Sequence, residues 1–397
     1  MSIPHNILIE FFDSDYLENI TAALCGSYSR ILFICMKTDS PDFERSRAAH
    51  TEFLKRRTGI IPEFHEIEQN DFQGILRLLE RFTDAENRFV FDVTGGTNLF
   101  IAAAGTFAGG HPDIRTEIIY YDLLSGRFSS SSPENNRARF TPPTLSIGEI
   151  VRIHSADIIE RKEPVRVSRC GDGLAREIKH LWKIISDMPR EWNVYTTVKR
   201  ETVRCGNGRL ITDIVPQGAA DDYRAVTKRL EANGLLTDYR KTDGVATYLL
   251  RVPEGAEVLF KKGGNMLELY SRLAASQCGI FTDLSTGIML DWDGIEQPFD
   301  INIRNEVDLL CVSGCIPFFI SCKNTAPTNA NLYEIEALAQ HYCGKYTVKA
   351  LISTLSATPA VRSRAQNMNI HLIENVSTIS YPRFVSQLAA LRPPFLP

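Results

Sequence analysis

Short apolar runs alternate with amphipathic stretches through the first third of the chain. Ile7-Leu8-Ile9-Glu10-Phe11-Phe12 has the length and composition of a strand. Ile31-Leu32-Phe33-Ile34-Cys35-Met36 is apolar throughout, as expected of a strand buried on both faces of a parallel sheet. Ile60 to Ile67, Phe89 to Val93 and Ile118 to Asp122 continue the series. Between them, Asp15 to Leu24, Phe43 to Arg57, Phe72 to Phe82 and the Ala-rich Leu99 to Phe107 read as helices. Strand and helix in strict alternation predict an open parallel sheet with helices on both faces.

The pattern then changes. Ser129 to Arg137 reads as a turn or loop, and the polar run Glu160-Arg161-Lys162-Glu163-Pro164 marks the edge of a first domain, residues 1–165. In residues 166–257, Leu174 to Met188 and Tyr223 to Ala232 read as helices, the second stopped by Asn233-Gly234. Two extended segments follow around Thr242-Asp243-Gly244, a hairpin turn signal. This order of helix then hairpin is similar to a winged helix. Its Lys228, Arg229, Arg240 and Lys241 make either a small basic patch for DNA or an ordinary solvated face. Residues 258–397 return to α/β: a helix from Met266 to Gln277, extended segments at 279–283, 287–291, 304–312 and 317–322, and a helix over Leu332 to Tyr342. Strand-like Lys349 to Ser353 and His371 to Ile373 alternate with helices at Val361 to Asn367 and Tyr381 to Leu391.

Length and charge narrow the classes. A chain of 397 residues suits two to three domains. With 44 basic against 48 acidic residues, bulk electrostatic attraction to nucleic acid is excluded, so any such contact needs a local patch. No apolar run reaches the ~18 residues of a membrane span. The first residues carry acids where a secretory signal needs an apolar stretch, and the nine cysteines form neither a CxxC pair nor a Cys/His zinc spacing. The expectation is a cytoplasmic protein with reduced, mostly buried thiols.

Two places carry chemistry. Asp92-Val93-Thr94-Gly95-Gly96-Thr97-Asn98 stands where a strand ends and a helix begins, the end of an α/β sheet at which ligands bind. Glycines there admit a close ligand, and free N–H groups at the helix start favour phosphate. Asp13-Ser14 and Lys37-Thr38 end two other strands on the same edge. The stretch is neither a Walker A nor a GxGxxG fingerprint, and a tight turn without ligand is the other reading. The second place is Asn305-Glu306-Val307-Asp308, followed across the Ser313-Gly314 turn by Phe318-Phe319-Ile320-Ser321-Cys322-Lys323. A hairpin would bring Asp308 beside Lys323. The carboxylate can hold a divalent metal, and the lysine can stabilise negative charge developing on a reacting group. Glu268, Glu334 and Glu336 are further carboxylates on flanking helices, and such hard oxygens favour Mg²⁺ or Mn²⁺. The alternative is a pair of surface charges with Asp308 capping a turn.

Together the two places resemble the sensor nucleases of CRISPR systems. The Asp92–Asn98 stretch, with Asp13-Ser14 and Lys37-Thr38, is similar to a CARF domain, a Rossmann-like sensor of cyclic oligoadenylate. Gly263 to Glu268, with Asp308 and Lys323, resembles a PD-(D/E)XK restriction-endonuclease-like domain. The order of CARF, winged-helix-like spacer and nuclease is similar to the type III CRISPR ancillary nucleases activated by cyclic tetra-adenylate. The resemblance implies a homodimer that binds the ring across two sensor domains. It also implies Mn²⁺- or Mg²⁺-dependent cleavage of single-stranded RNA or DNA, or nicking of supercoiled DNA. Asp308 and Glu268 would hold metal, with Glu336 as a third candidate, and Lys323 would be the catalytic lysine. Asp13, Ser14, Lys37, Thr38, Thr94, Gly95, Gly96, Thr97 and Asn98 would meet the cyclic ligand. The pattern expects an acid two residues before the lysine, and Ser321 stands there, able to coordinate through its hydroxyl or orient a water. Two other readings fit the same residues: a ligand-controlled DNA-binding regulator with a degenerate nuclease domain, and a sensor that degrades its own ligand.

Overall fold

A computed structural model describes residues 5–12, 15–135, 140–161, 172–206, 208–251, 259–260, 264–292 and 303–392. Its first module is a six-stranded sheet of β1 (Asn6–Phe11), β2 (Arg30–Met36), β3 (Glu63–Ile67), β4 (Arg88–Asp92), β5 (Arg115–Asp122) and β6 (Arg127–Ser130). The order is β3-β2-β1-β4-β5-β6; the first five strands run parallel and β6 returns antiparallel. Four helices intervene: α1 (Glu18–Cys25), α2 (Pro41–Thr58), α3 (Phe72–Phe82) and α4 (Asn98–Gly110). The period-two alternation of each strand decides which face it covers. Ile7, Ile9 and Phe11 pack with Leu32, Ile34, Phe89 and Phe91 against Leu79, Phe100 and Phe107 of α3 and α4. Leu8, Phe12, Ile31 and Phe33 face the other way, toward Phe53 and Leu54 of α2 and the rest of the molecule. Strand order reverses between β1 and β4, so a crevice opens outside their carboxyl ends.

Beyond this sheet come α5 (Ile147–Ile153) and β7 (Asp157–Arg161). The middle module holds α6 (Asp172–Ile185), α7 (Pro189–Thr197), β8 (Lys199–Cys205), β9 (Gly208–Ile214), α8 (Ala220–Ala232), β10 (Leu236–Thr242) and β11 (Val245–Leu250). Its four strands form one antiparallel sheet, β10-β11-β9-β8. The expected Asp243-Gly244 turn is present, with φ of +49° and +80°, the two left-handed residues of a primed hairpin. Under the sheet, Arg200 makes a two-pronged ion pair at 2.7 Å to Asp213, which is wholly buried and also accepts from the hydroxyls of Tyr223 (2.6 Å) and Tyr248 (2.9 Å).

The last module holds α9 (Asn265–Gln277), β12 (Asp283–Asp291), β13 (Arg304–Ser313), β14 (Ile316–Lys323), α10 (Asn329–Cys343), β15 (Val348–Ser353), α11 (Pro359–Asn367), β16 (Ile370–Ile373) and α12 (Tyr381–Ala389). The sheet runs β16-β15-β14-β13-β12-β7, antiparallel from β7 to β14 and parallel from β14 to β16.

Three features differ from the sequence reading. The strand Asp157–Arg161, placed with the first domain, pairs with β12 as the edge of the last module's sheet. The hairpin β8–β9 was not anticipated, because β8 reads Lys-Arg-Glu-Thr-Val-Arg-Cys with no apolar alternation. The segments expected at 279–283 and 287–291 are one strand from 283 to 291, carried through Gly287 at φ +57°.

Candidate ligand and active sites

The crevice between β1 and β4 is built from the end of β4. Asp92 is 2% exposed and accepts both the backbone N–H of Thr94 (2.9 Å) and its hydroxyl. The Thr94 oxygen in turn accepts from the Tyr121 N–H at 2.9 Å. Burial raises the Asp92 carboxyl to about 6 against the pull of Thr94; Glu10, also buried, lies opposite it on β1. Thr94 therefore holds the loop's shape and keeps its hydroxyl inside. The two glycines answer to packing. A Cβ on Gly95 would stand 2.9 Å from Glu18, and one on Gly96, at φ +90°, would stand 2.8 Å from Phe11. Thr97 caps α4 through its hydroxyl, which accepts from Phe100 N–H at 3.2 Å, and Asn98 is exposed at the helix start.

A cavity of about 340 Å³ opens beside this loop, lined by Phe11, Phe12, Tyr16, Met36, Thr38, Asp42, Phe43, Ser46 and Thr97. Of the expected ligand residues, Thr38 and Thr97 line it. Lys37 turns outward to Glu68 at 3.4 Å. Asp13 and Ser14 lie outside the described residues. Tyr16, Asp42, Phe43 and Ser46 were not anticipated. Phe43, Ser46, His50 and Phe53 share one helical face of α2, a stripe readable as core, and its first turns line the cavity instead. A larger cavity of about 600 Å³ lies by Asn6, Arg88, Glu117 and Asn135, at the amino ends of β1 and β4. It is away from the carboxyl-end crevice, so the smaller cavity is the candidate.

The segment before and within α1 joins this crevice to the last module. Glu18, 6% exposed and against Gly95, accepts from Lys345 Nζ at 2.7 Å and from the Tyr346 hydroxyl. Lys345 also reaches Asp15 at 3.1 Å. Burial works against the Lys345 charge, and the two carboxylates override it, holding the ammonium above its usual value. Tyr16, in the cavity wall, meets the ring of His154 edge-on at 4.6 Å. His154 Nε2 in turn fills the space beside Gly344, where a Cβ would approach to 2.7 Å.

In the last module β13 and β14 pair from Ser313–Ile316 to Leu309–Ile320. One step further, Asp308 Oδ2 accepts the Ser321 hydroxyl at 2.9 Å and the Cys322 N–H at 2.7 Å, with Lys323 Nζ at 3.7 Å. Across β12, Gly287 falls opposite Asp308, between the rungs Thr286–Leu309 and Ile288–Val307. The Asp308 and Lys323 side chains are 20% and 28% exposed, so an otherwise buried hairpin presents them at a solvent edge. Burial pushes the Cys322 thiol well above its usual range, and the nearby Asp308 and Glu268 carboxylates add to the shift. Glu268 thus converges on the same strand end from the first turn of α9. Glu336 is drawn elsewhere: it pairs with Lys349 at 2.6 Å, beside Phe319 rather than Lys323, and Glu334 is exposed. Gly263 lies outside the described residues.

The proposed metal trio of Glu268, Asp308 and Glu336 is accordingly not gathered, and no group of three or more His, Cys, Asp or Glu side chains suited to a metal occurs among the described residues. The donor chemistry still fits a hard cation. Asp308 Oδ1 takes no hydrogen bond from the described residues, and Mg²⁺ is commonly held by one or two carboxylates together with substrate phosphate and water.

The sequence matches no family model and no curated protein. Its fold does match solved structures along nearly the whole chain. Protein VC1899 from Vibrio cholerae superposes with a TM-score of 0.68 at 15% identity, over 97% of this chain and 96% of that one. Can2 from Sulfobacillus thermosulfidooxidans, solved in complex with cyclic tetra-adenylate, superposes with a TM-score of 0.67 at 15% identity, over 97% and 98%. The chain has the fold of these two proteins. It is α/β, with a Rossmann-like first module and a mixed-sheet last module.

Proposed function

We propose that this chain is a cyclic tetra-adenylate-activated nuclease of type III CRISPR defence. The observation that carries the reading is the pairing of Asp308 with Lys323 at the end of a hairpin, in a chain that also keeps a cavity at the β1/β4 crevice. The fold shared with a protein solved with cyclic tetra-adenylate supports that ring as the ligand of the cavity. Its apolar walls suit nucleobases, while Thr38, Ser46 and Thr97 in its lining offer polar contacts to ribose and phosphate. A ring of four identical units offers the same two-unit face to each of two subunits, so a homodimer is the natural receptor.

In the last module, Asp308 with Glu268 would hold Mg²⁺ or Mn²⁺, which when bound supplies charge neutralisation and an acidified water for phosphodiester hydrolysis. Ser321 supplies no charge; its hydroxyl and the Cys322 N–H both donate to Oδ2 of Asp308 and so help fix its rotamer. Lys323, loosely paired at 3.7 Å, is free to swing to a phosphate oxygen and meet the charge that grows there. Loss of such a group typically costs ~10²–10³ in rate.

The test is a cleavage assay on fluorescent single-stranded RNA, single-stranded DNA and supercoiled plasmid, with Mn²⁺, with and without cyclic tetra-adenylate. Ligand-dependent cutting that falls ~10²–10³-fold in Lys323→Ala and is lost in Asp308→Asn is the expected result. Intact substrates with the wild-type chain refute it. The serine at position 321 favours one second reading, a ligand-controlled DNA-binding protein with a degenerate nuclease domain. That reading predicts ligand-dependent, salt-sensitive DNA shifts without cutting.

A further inference from the structure

The strand end that carries Lys323 is braced, through its neighbours, by residues of a different module. Its own carbonyl accepts the N–H of Thr354 at 3.2 Å, where β14 and β15 end side by side. The Thr354 carbonyl accepts the Ser377 hydroxyl at 2.8 Å, and the Ser377 carbonyl accepts the Ser186 hydroxyl, just past α6, at 3.4 Å. On the other side, the residue after the lysine is clasped by α7. Asn324 Nδ2 donates to Asn193 Oδ1 at 2.9 Å and to the Pro189 carbonyl at 3.3 Å, while Asn193 Nδ2 donates back to the Asn324 carbonyl at 3.4 Å. The middle module thus reaches the end of β14 by two routes, from the end of α6 and from α7.

The clasp itself has a firm seat. Trp192, next to Asn193, is 1% exposed and stacks on Tyr195 with ring centroids 5.3 Å apart. Tyr195 is fully buried, and its hydroxyl meets that of Tyr248 at 2.8 Å in the Arg200–Asp213 network. The lysine side chain needs such support. It is only loosely paired with Asp308, so its ammonium is aimed chiefly by the backbone that carries it. A reacting group misplaced by ~1 Å can cost ~10²-fold in rate.

We propose that Asn193 is a positioning residue of the active site: with Ser186, it makes the middle module a brace that sets the aim of Lys323. This role rests on the nuclease reading above. It gives the middle module a part in catalysis whether or not that module touches nucleic acid.

The test is a kinetic cycle on the full chain with cyclic tetra-adenylate and Mn²⁺. Asn193→Asp is nearly isosteric; it places a carboxylate oxygen where an N–H now faces the Asn324 carbonyl, and so breaks the clasp without opening a cavity. The expected result is a kcat lowered by about 10- to 100-fold, with KM for the nucleic acid, Kd for the cyclic ligand and the melting temperature unchanged. Lys323→Ala added to Asn193→Asp should then cost far less than Lys323→Ala alone, because a mis-aimed lysine has little left to lose. Ser186→Ala should move kcat in the same direction by a smaller factor. If the Asn193→Asp and Lys323→Ala penalties multiply independently, or if kcat is unchanged in Asn193→Asp, the positioning role is overturned while the nuclease reading stands. A wild-type chain that cuts nothing overturns both.

Discussion

The contact at Glu18 makes a quantitative prediction. Lys345→Met removes the ammonium that Glu18 accepts at 2.7 Å and Asp15 at 3.1 Å, and it keeps most of the apolar stem. A hydrogen bond to a charged group is worth ~1.5–3 kcal/mol, whereas a fully exposed ion pair is worth ~0–1. Lys345 is 49% exposed and Glu18 6%, so a middle figure of about 1.4 kcal/mol applies, equivalent to tenfold in an equilibrium. That energy links the loop at Gly95 to the turn leading into β15, and β15 lies beside the strand that carries Lys323. Lys345 touches neither the cavity nor Asp308, so ligand affinity measured by calorimetry should stay within about threefold. The ratio of cleavage rates with and without cyclic tetra-adenylate should fall about tenfold. Glu18→Gln should act in the same direction, and the double variant should be no worse than the poorer single one. Unchanged activation with unchanged binding would refute the coupling through this bridge.

Three further outcomes concern two sets of buried groups and one loop glycine. Asp213→Ala leaves the Arg200 guanidinium unpaired beneath the middle sheet and should cost about 3–5 kcal/mol, read by urea unfolding with tryptophan fluorescence; a loss under 1 kcal/mol would contradict the geometry. Burial depresses His50 and His154 to about 4, so the unfolded chain takes up protons below its ordinary value of 6.5 while the folded chain does not. Each should therefore withdraw roughly 2 kcal/mol between pH 7.5 and 5. Asp92, raised to about 6, acts in the opposite sense as pH falls from 6 to 4, and His50→Phe should flatten the net acid slope; a slope unchanged in that variant would sink the assignment. Gly96→Ala should cost about 1–3 kcal/mol from its left-handed φ and the overlap with Phe11, seen as a lower melting temperature; a neutral effect would contradict the loop conformation.

Much of this architecture was legible in the chain because its signals are local. The apolar runs at 7–12 and 31–36, the Asp243-Gly244 turn and the Asp92–Asn98 loop each announce themselves within a few residues. Asp308 and Lys323 were legible as a pair because one hairpin turn separates them, and antiparallel register is arithmetic. What escaped was non-local. Nothing near Asp157–Arg161 says that its partner strand lies at 283–291. Glu336 looked as available as Glu268 until Lys349, on a strand not yet paired in the sequence reading, claimed it. Gly95 and Gly96 suggested a ligand's close approach, but Glu18 and Phe11 supply a sufficient packing reason for both. Phe43 and Ser46 followed a core stripe on α2 and turned out to wall a cavity, a distinction periodicity cannot draw.

The strand β7 also has a consequence for biosynthesis. It leaves the ribosome ahead of the whole middle module, yet its pairing edge on β12 is made only when residues 283–291 appear. At ~5–20 residues per second it waits several seconds with unpaired amides and carbonyls. Its exposed Ile159 adds an apolar side chain to that open edge. The nascent chain is therefore most vulnerable to clumping, and most in need of a holding chaperone, after the first module has folded and before the last module's sheet begins.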